Sequence, residues 1–168
     1  SGTLGGTLTG TITAGGMQVT ISGVTYTKAE SGVVLTATVT GGDALSPDDS
    51  AGFTVNAGAA TKLIVTSVNG GSNPTAGTGF SVVVRSQDAN DNFANVVAGT
   101  TVTLSRTAGT GTLGGTVSGT LTAGTSTLTI SGVTYTKAEG GVELTATASG
   151  GDSLTADASS TFTVNAGA

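Results

Sequence analysis

The residues best suited to chemistry in this chain lie in one short segment rich in Asp and Asn. Asp88, Asn90, Asp91 and Asn92 place four side-chain oxygen ligands within five residues. Hard oxygen ligands at this density are those that Ca²⁺ prefers, so the segment predicts a calcium site, the one cofactor that the sequence suggests. The alternative interpretation is a hairpin turn whose Asp and Asn side chains bond to their own backbone.

A second set of carboxylates occurs twice in the chain. Asp152 and Asp157, in the segment GGDSLTAD, recur as Asp43 and Asp48, and Asp49 is added in the first occurrence. Such a loop could bind calcium or cap the junction between two domains. The alternative interpretation is a solvated loop.

Catalysis lacks its usual side chains. The chain has no His and no Cys, so a serine hydroxyl has no imidazole to activate it and there is no thiol nucleophile. Two carboxylates acting on a glycosidic bond would need a cleft, which a compact sandwich of this size hardly provides. We therefore expect that the protein is not an enzyme.

Composition points to strands and excludes some partners. Gly accounts for 29 of 168 residues and Thr is abundant, a composition that disfavours helices and suits strands joined by glycine turns. The net charge is −5 and the five basic residues form no run, so we expect no binding to nucleic acid. No apolar stretch reaches 18 residues, so we expect no membrane insertion.

An internal repeat sets the domain organisation. Shifting the sequence by 109 residues aligns residues 1–59 with residues 110–168 without a gap, and 41 of the 59 pairs are identical. Shared stretches include TISGVTYTKAE and FTVNAGA. We therefore expect residues 60–168 to form one complete repeat and residues 1–59 to be the second half of another, so that the chain starts in mid-domain. Residues 60–109 are called the first half below, and residues 1–59 and 110–168 the two second halves.

The complete repeat contains seven strand-like runs separated by turn signals such as GGSNPTAG and DAND. Phe80, Val82 and Val84 alternate with polar residues, as do Val102 and Leu104, Leu128 and Ile130, and Phe162 and Val164, which places these side chains between two sheets. The pattern predicts an all-β sandwich of about seven strands. The runs cover residues 62–68, 80–87, 101–106, 112–122, 127–136, 142–148 and 161–165.

The stretches ATKLIVTS, AGTGFSVVVRSQDANDN, TVTLSRTAGTGTLGG and GVELTATASGG resemble the bacterial immunoglobulin-like repeats of large surface adhesins and secreted repetitive proteins. The resemblance covers the whole chain and implies an immunoglobulin-like sandwich, a tandem array, and an extracellular or bacterial cell-surface location. Related repeats often carry a DxxGN turn where this chain has the segment from Asp88 to Asn92. That departure leaves a metal site at the turn open.

The resemblance also suggests a covalent cross-link. Lys62 near the start of the first strand and Asn165 near the end of the last occupy places similar to those joined by isopeptide bonds in some pilin-like immunoglobulin domains. Glu139 or Glu143 would be the assisting acid. The alternative is a surface Lys and a strand-end Asn.

Three functions follow as hypotheses. The first is a stalk or spacer of a bacterial adhesin, in which each repeat contacts mainly its neighbours. The second is a self-assembling extracellular filament, in which the spare second half at residues 1–59 is completed by strands of another chain. The third is a carbohydrate-binding module that uses Tyr26 and Tyr135, whose two rings offer little stacking surface.

Overall fold

In the computed structural model the chain is built of strands and turns, and the structure describes residues 1–167. Two compact units are present, Ser1–Ala57 (unit 1) and Gly58–Ala168 (unit 2). Within the described residues there is no α-helix, and one 3₁₀ turn occupies Asn69–Gly71. The all-β prediction is therefore confirmed. Ala168, the last residue of the predicted complete repeat, lies outside the described residues.

Unit 1 consists of three separate two-stranded ribbons. In them β1 pairs with β2, β3 with β6, and β4 with β5, all antiparallel. The strands are short because each has a single partner. They are β1 (Leu4–Gly6), β2 (Val24–Tyr26), β3 (Glu30–Val33), β4 (Thr36–Ala37), β5 (Asp48–Asp49) and β6 (Phe53–Val55).

Unit 2 has two larger antiparallel sheets, an arrangement consistent with a β-sandwich. Its strands are β7 (Lys62–Val68), β8 (Phe80–Gln87), β9 (Thr100–Ala108), β10 (Leu113–Gly115), β11 (Ser118–Leu121), β12 (Thr127–Tyr135), β13 (Glu139–Ser149), β14 (Asp157–Ala158) and β15 (Phe162–Val164). One sheet has the order β10-β12-β8-β7. The other has the order β11-β9-β13-β14, and β15 also pairs with β13.

The core of unit 2 lies between inward-facing side chains of both sheets. Along β8, buried residues alternate with half-buried ones, as the sequence pattern predicts for a strand with one face in the core. Leu128 and Phe162 pack against this cluster as partly buried residues. The fully or nearly buried members are Leu63, Phe80, Val82, Val84, Val96, Val102, Leu104, Leu121, Ile130, Val133, Tyr135, Val142, Leu144, Ala146, Leu154 and Val164.

The predicted strand over residues 112–122 is wrong in one respect, because the structure divides it between the two sheets. β10 pairs with β12, whereas β11 pairs with β9. Gly115 makes the change of sheet possible: its φ is +68°, and a Cβ there would lie 2.1 Å from the carbonyl oxygen of Gly132. Only glycine fits so close a backbone approach in the left-handed region. The short strand β14 was not predicted at all.

Every strand pairing of unit 1 recurs in unit 2 at the same offset of 109 residues that the sequence repeat has. The shared registers show that the two second halves fold alike wherever they pair with themselves. The pairs Leu4–Tyr26, Glu30–Val55 and Ala37–Asp48 correspond to Leu113–Tyr135, Glu139–Val164 and Ala146–Asp157.

Strands are lost from unit 1 where unit 2 relies on β8 or β9. β11 pairs with β9, and the equivalent residues 9–12 form no strand. The first part of β12 pairs with β8, and the equivalent residues 18–23 are likewise not in a strand. Backbone N–H and C=O groups need partners to hold a strand. The difference between two nearly identical sequences therefore comes from the partner strands, which the first half supplies in unit 2.

Candidate functional site

The segment from Asp88 to Asn92 forms a tight turn after β8 that is organised around a single carboxylate. Asp88 is 3% exposed and accepts hydrogen bonds from the backbone N–H of Asn90 at 2.8 Å, of Asn92 at 3.0 Å and of Gly58 at 2.8 Å. The Asn92 amide donates a further bond to it. Burial alone would raise the pKa of Asp88, but these hydrogen bonds outweigh burial and lower it below its ordinary value.

The other polar residues of the turn face elsewhere. Asp91 has a φ of +67° and forms an ion pair with Lys62, while Asn90 is exposed. The next residue, Phe93, lies 3.2 Å from the guanidinium carbon of Arg85, measured to the ring centre. The geometry is that of an Asx turn in which four N–H donors already occupy the Asp88 carboxylate. Calcium binding by Asp88, Asn90, Asp91 and Asn92 stays a prediction.

The repeated acids connect the second half of unit 2 to its first half. Asp152 accepts hydrogen bonds from the backbone N–H of Val97 at 2.8 Å and of Ala98 at 3.1 Å. Asp157 accepts one from the backbone N–H of Val65 at 2.9 Å, at an irregularity in the pairing of β7 with β8. Both carboxylates therefore satisfy backbone donors of the first half within one unit, a role that the sequence analysis did not foresee.

Lys62 and Asn165, the two residues of the suggested isopeptide bond, have separate partners. The ammonium group of Lys62 binds Asp91, and the Lys62 backbone lies beside Thr155. Asn165 lies beside Thr75, and its backbone bonds to Pro74 and Ala76. The structure does not bring the two side chains together. Of the suggested assisting acids, Glu139 is engaged by Tyr135, and Glu143 pairs along the sheet with Ala108.

The most extensive polar cluster centres on Tyr135 and Glu139 at the start of β13. The hydroxyl of the fully buried Tyr135 donates to Glu139 Oε1 at 2.7 Å and accepts from the backbone N–H of Gly111 at 2.8 Å. Glu139 Oε1 also accepts from the backbone N–H groups of Thr110 and Gly111, at 2.7 and 2.9 Å. The cluster thus fixes the chain at the point where the first half ends and the second half begins.

The electrostatics of this cluster favour a neutral phenol and an ionised carboxyl group. Burial raises the pKa of Tyr135, and the hydrogen bond to Glu139 raises it further. The hydrogen bond from Tyr135 lowers the pKa of Glu139 well below its ordinary range, and bonds from Thr110 and Gly111 add to that effect. Lys137 lies 3.0 Å from Glu139 Oε2. Neither titrating group is therefore poised to exchange protons near neutral pH.

The same cluster is present in unit 1, although most of the surrounding sheet is not. Tyr26 donates to Glu30 Oε1 at 2.5 Å, and the backbone N–H of Gly2 bonds to both side chains. Hydrogen bonds from Lys28 and Tyr26 lower the pKa of Glu30 to about 2. The cluster needs only second-half residues, which explains why it forms without the first half.

A shallow groove of about 240 Å³ runs beside β7, between residues 65–73 and 159–162. Hydroxyl groups of Ser67, Ser72, Ser159 and Thr161 are among its lining residues, and no titratable side chain lines it. A hydroxyl in this groove has no neighbouring base to deprotonate it. The groove therefore offers no nucleophile paired with a base.

Unit 1 exposes an apolar surface, here called the open face, that is buried in unit 2. Ile12 is 47% exposed whereas its counterpart Leu121 is 0% exposed, and Leu45 is 60% exposed whereas Leu154 is 9% exposed. In unit 2 the counterparts pack against residues of β7, β8 and β9. The open face consists of Ile12, Ile21, Val24 and Leu45, and the counterparts are Leu121, Ile130, Val133 and Leu154.

The comparisons with known proteins identify no relative. No family model matches the chain, and no curated protein matches it significantly. Residues 1–167 also contain no helix with the length and apolar character needed to cross a membrane. The functional argument therefore rests on the residues and their geometry.

Proposed function

We propose that the chain is an extracellular structural module, built from immunoglobulin-like repeats, that serves as a stalk or spacer of a bacterial surface adhesin. Neighbouring repeats of the same protein would be its partners. The observation that carries the proposal is the path of the chain through unit 2. Residues 61–75 run parallel to residues 155–165, so the unit begins beside Thr155 and ends with Asn165 beside Thr75.

This path separates the start and the end of the unit by its length. Ten residues from Thr155 to Asn165 correspond to about 30 Å at the rise of an extended chain. A unit whose chain starts at one pole and finishes at the other adds length each time it is repeated. A spacer needs this property, whereas a compact binding domain does not.

The side chains with chemical potential support a structural role. The carboxylates of Asp88, Asp152 and Asp157 bond to backbone N–H groups of their own unit. Glu139 is held by Tyr135 and by backbone donors. Tyr135 is buried and offers no ring face for stacking on a sugar, which argues against a carbohydrate-binding module that uses this residue. Binding to a receptor would then belong to other parts of an adhesin.

Small-angle X-ray scattering of chains with two and four copies of residues 60–168 in series tests the proposal. The maximum dimension should increase by about 30–40 Å for each added copy. Compact particles, whose size rises only with the cube root of mass, would contradict a spacer. Saturable binding of a glycan or a host protein by the 168-residue chain would also count against it.

The second candidate function is a filament subunit, and the open face of unit 1 is the observation that favours it. Exposed apolar surface beside unpaired strand edges is the usual origin of strand addition between chains. Light scattering and electron microscopy of the purified chain test this candidate. Ordered fibres would support it, and a monodisperse monomer would exclude it.

A further inference from the structure

We propose that the open face of unit 1 binds a further copy of the first half, a polypeptide with the sequence of residues 60–109, in the register that unit 2 shows. The inference rests on the proposed repeat architecture and names the partner of its incomplete unit. The bound segment would add the equivalents of β7, β8 and β9. Unit 1 would then acquire the two sheets and the core that unit 2 already has.

The apolar evidence is the match between what unit 1 exposes and what the first half covers in unit 2. Ile130 pairs with Val82 across β12 and β8, so Ile21 should pair with Val82 of the bound segment. Leu121 pairs with Thr100, so Ile12 should pair with Thr100 of the bound segment. A face whose buried twin is present in the same chain specifies its own covering surface. No partner of unrelated chemistry fits it in this detail.

The polar evidence is a pair of acceptors that lack donors in unit 1. Asp152 and Asp157 accept N–H bonds from Val97, Ala98 and Val65 of the first half. Their counterparts Asp43 and Asp48 are exposed, and neither carboxylate accepts a hydrogen bond within the described residues. A bound first half would bring the three missing N–H groups to them. The acids therefore add directional bonds that fix the register of the segment.

The acceptor is partly organised in advance. The ribbons of unit 1 keep the registers of unit 2, and Tyr26, Glu30 and Gly2 keep the polar cluster that joins the strands. Ordering that is already present lowers the entropy cost of binding. Only residues 9–12, 18–23 and 38–40 need to become extended, because these are the segments that pair with β8 or β9 in unit 2.

The first half of the same chain cannot close onto residues 1–59. In unit 2, Asn165 and Lys62 lie at opposite poles, about 30 Å apart along the strands. The equivalent closure would have to connect Asn56 to Lys62, and that stretch of chain spans at most about 20 Å. Steric reach therefore excludes this occupant.

A second copy of the whole chain is a poor occupant for reasons of stoichiometry. Each chain carries one first half and two second halves. Any exchange between identical chains covers one open face and uncovers another, so no contacts are gained in total. A further first half that is supplied without its second half removes this imbalance.

Disulfide trapping tests the register directly, because the chain has no Cys of its own. Ser131 pairs with Ser81 in unit 2, so Ser22→Cys in the 168-residue chain should lie opposite Ser81→Cys in an added polypeptide of residues 60–109. The matched control is Gln18→Cys, whose counterpart Thr127 pairs with Arg85, four residues from Ser81 and about 13 Å further along the strand.

Mild oxidation should give a 1:1 adduct with Ser22→Cys in at least about tenfold higher yield than with Gln18→Cys, because disulfides need closely spaced Cβ atoms. Equal yields would overturn the proposal. A 168-residue chain that carries both Ser22→Cys and Ser81→Cys provides another test. If it forms linked oligomers in the absence of added polypeptide, a second copy is the occupant and the proposal fails.

A second measurement avoids dependence on a separate polypeptide that could aggregate. A longer chain carries a further copy of residues 60–109 ahead of Ser1, and hydrogen exchange is compared with that of the 168-residue chain. Amides of residues 9–12 and 18–21 should exchange at least about 100-fold more slowly in the longer chain. Unchanged exchange would overturn the proposal but would leave the scattering test of the spacer function unaffected.

Discussion

The carboxylate of Asp157 accepts a hydrogen bond from the backbone N–H of Val65 at 2.9 Å, across 92 residues of sequence. This bond connects the last part of the second half to the first strand of the first half. Asp48, at the same position of the other second half, has no such donor in unit 1. The pair shows in one contact why the two second halves differ in structure.

Replacing Asp157 should therefore destabilise unit 2, while the same change at Asp48 should not. Asp157→Ala leaves the partly buried Val65 N–H without its acceptor, at a cost of about 1–2 kcal/mol in the free energy of unfolding. Urea denaturation monitored by circular dichroism measures the effect. Asp48→Ala serves as the matched control, and an equal loss in both variants would refute the assignment.

Truncation of the buried core should show the same asymmetry. Leu121→Ala removes a fully buried side chain and should lower the free energy of unfolding by about 2–5 kcal/mol. Ile12→Ala, at the equivalent position, removes a side chain that is 47% exposed and should change the main unfolding transition little. Two equal shifts in the urea midpoint would mean that the open face is covered in solution.

The buried phenol offers a third comparison. Tyr135→Phe removes a hydroxyl that donates to Glu139 and accepts from Gly111, which should destabilise unit 2 by about 1–3 kcal/mol. Tyr26→Phe should leave the main transition unchanged, because Tyr26 lies in unit 1. Thermal unfolding of the two variants, recorded at neutral pH, separates these outcomes. An unchanged transition in Tyr135→Phe would show that the cluster contributes no stability.

Stability should fall on acidification. Glu139 has a pKa below the unperturbed 4.5, so the unfolded state binds its proton first as the pH decreases. The contribution of Glu139 is complete above about pH 4.5 and is lost progressively below it. Asp88, whose pKa is also lowered, acts in the same direction. Urea titrations between pH 7 and pH 2 should show the decline, and Glu139→Gln should flatten it. A profile in Glu139→Gln as steep as in the original chain would contradict this role.

The Asp88 turn yields a prediction about calcium. Asp88→Ala should destabilise unit 2 by about 1–3 kcal/mol, because three backbone N–H groups lose their acceptor. If the turn acts through these bonds alone, the loss is the same with calcium and with chelator. A melting temperature of the original chain that rises with calcium concentration would instead establish the metal site predicted from the sequence.

Sequence patterns were sufficient for most strands of unit 2, and tertiary pairing accounts for what they missed. The runs at residues 62–68 and 80–87 match β7 and β8 because alternation and glycine turns are local signals. The division at Gly115 was missed, since a change of sheet depends on the close approach of Gly132. The roles of Asp152 and Asp157 were missed for the same reason, as their donors lie 92 and about 55 residues away in sequence.

Residue-resolved hydrogen exchange of the 168-residue chain tests the central claim most directly, namely that a second half forms its sheets only with the strands of a first half. Amides of residues 118–121 should be strongly protected through β9, and amides of residues 9–12, four residues that form no strand, should exchange nearly as fast as an unfolded chain. Equal protection at the two sites would contradict the claim, because unit 1 would then hold its strands without a first half.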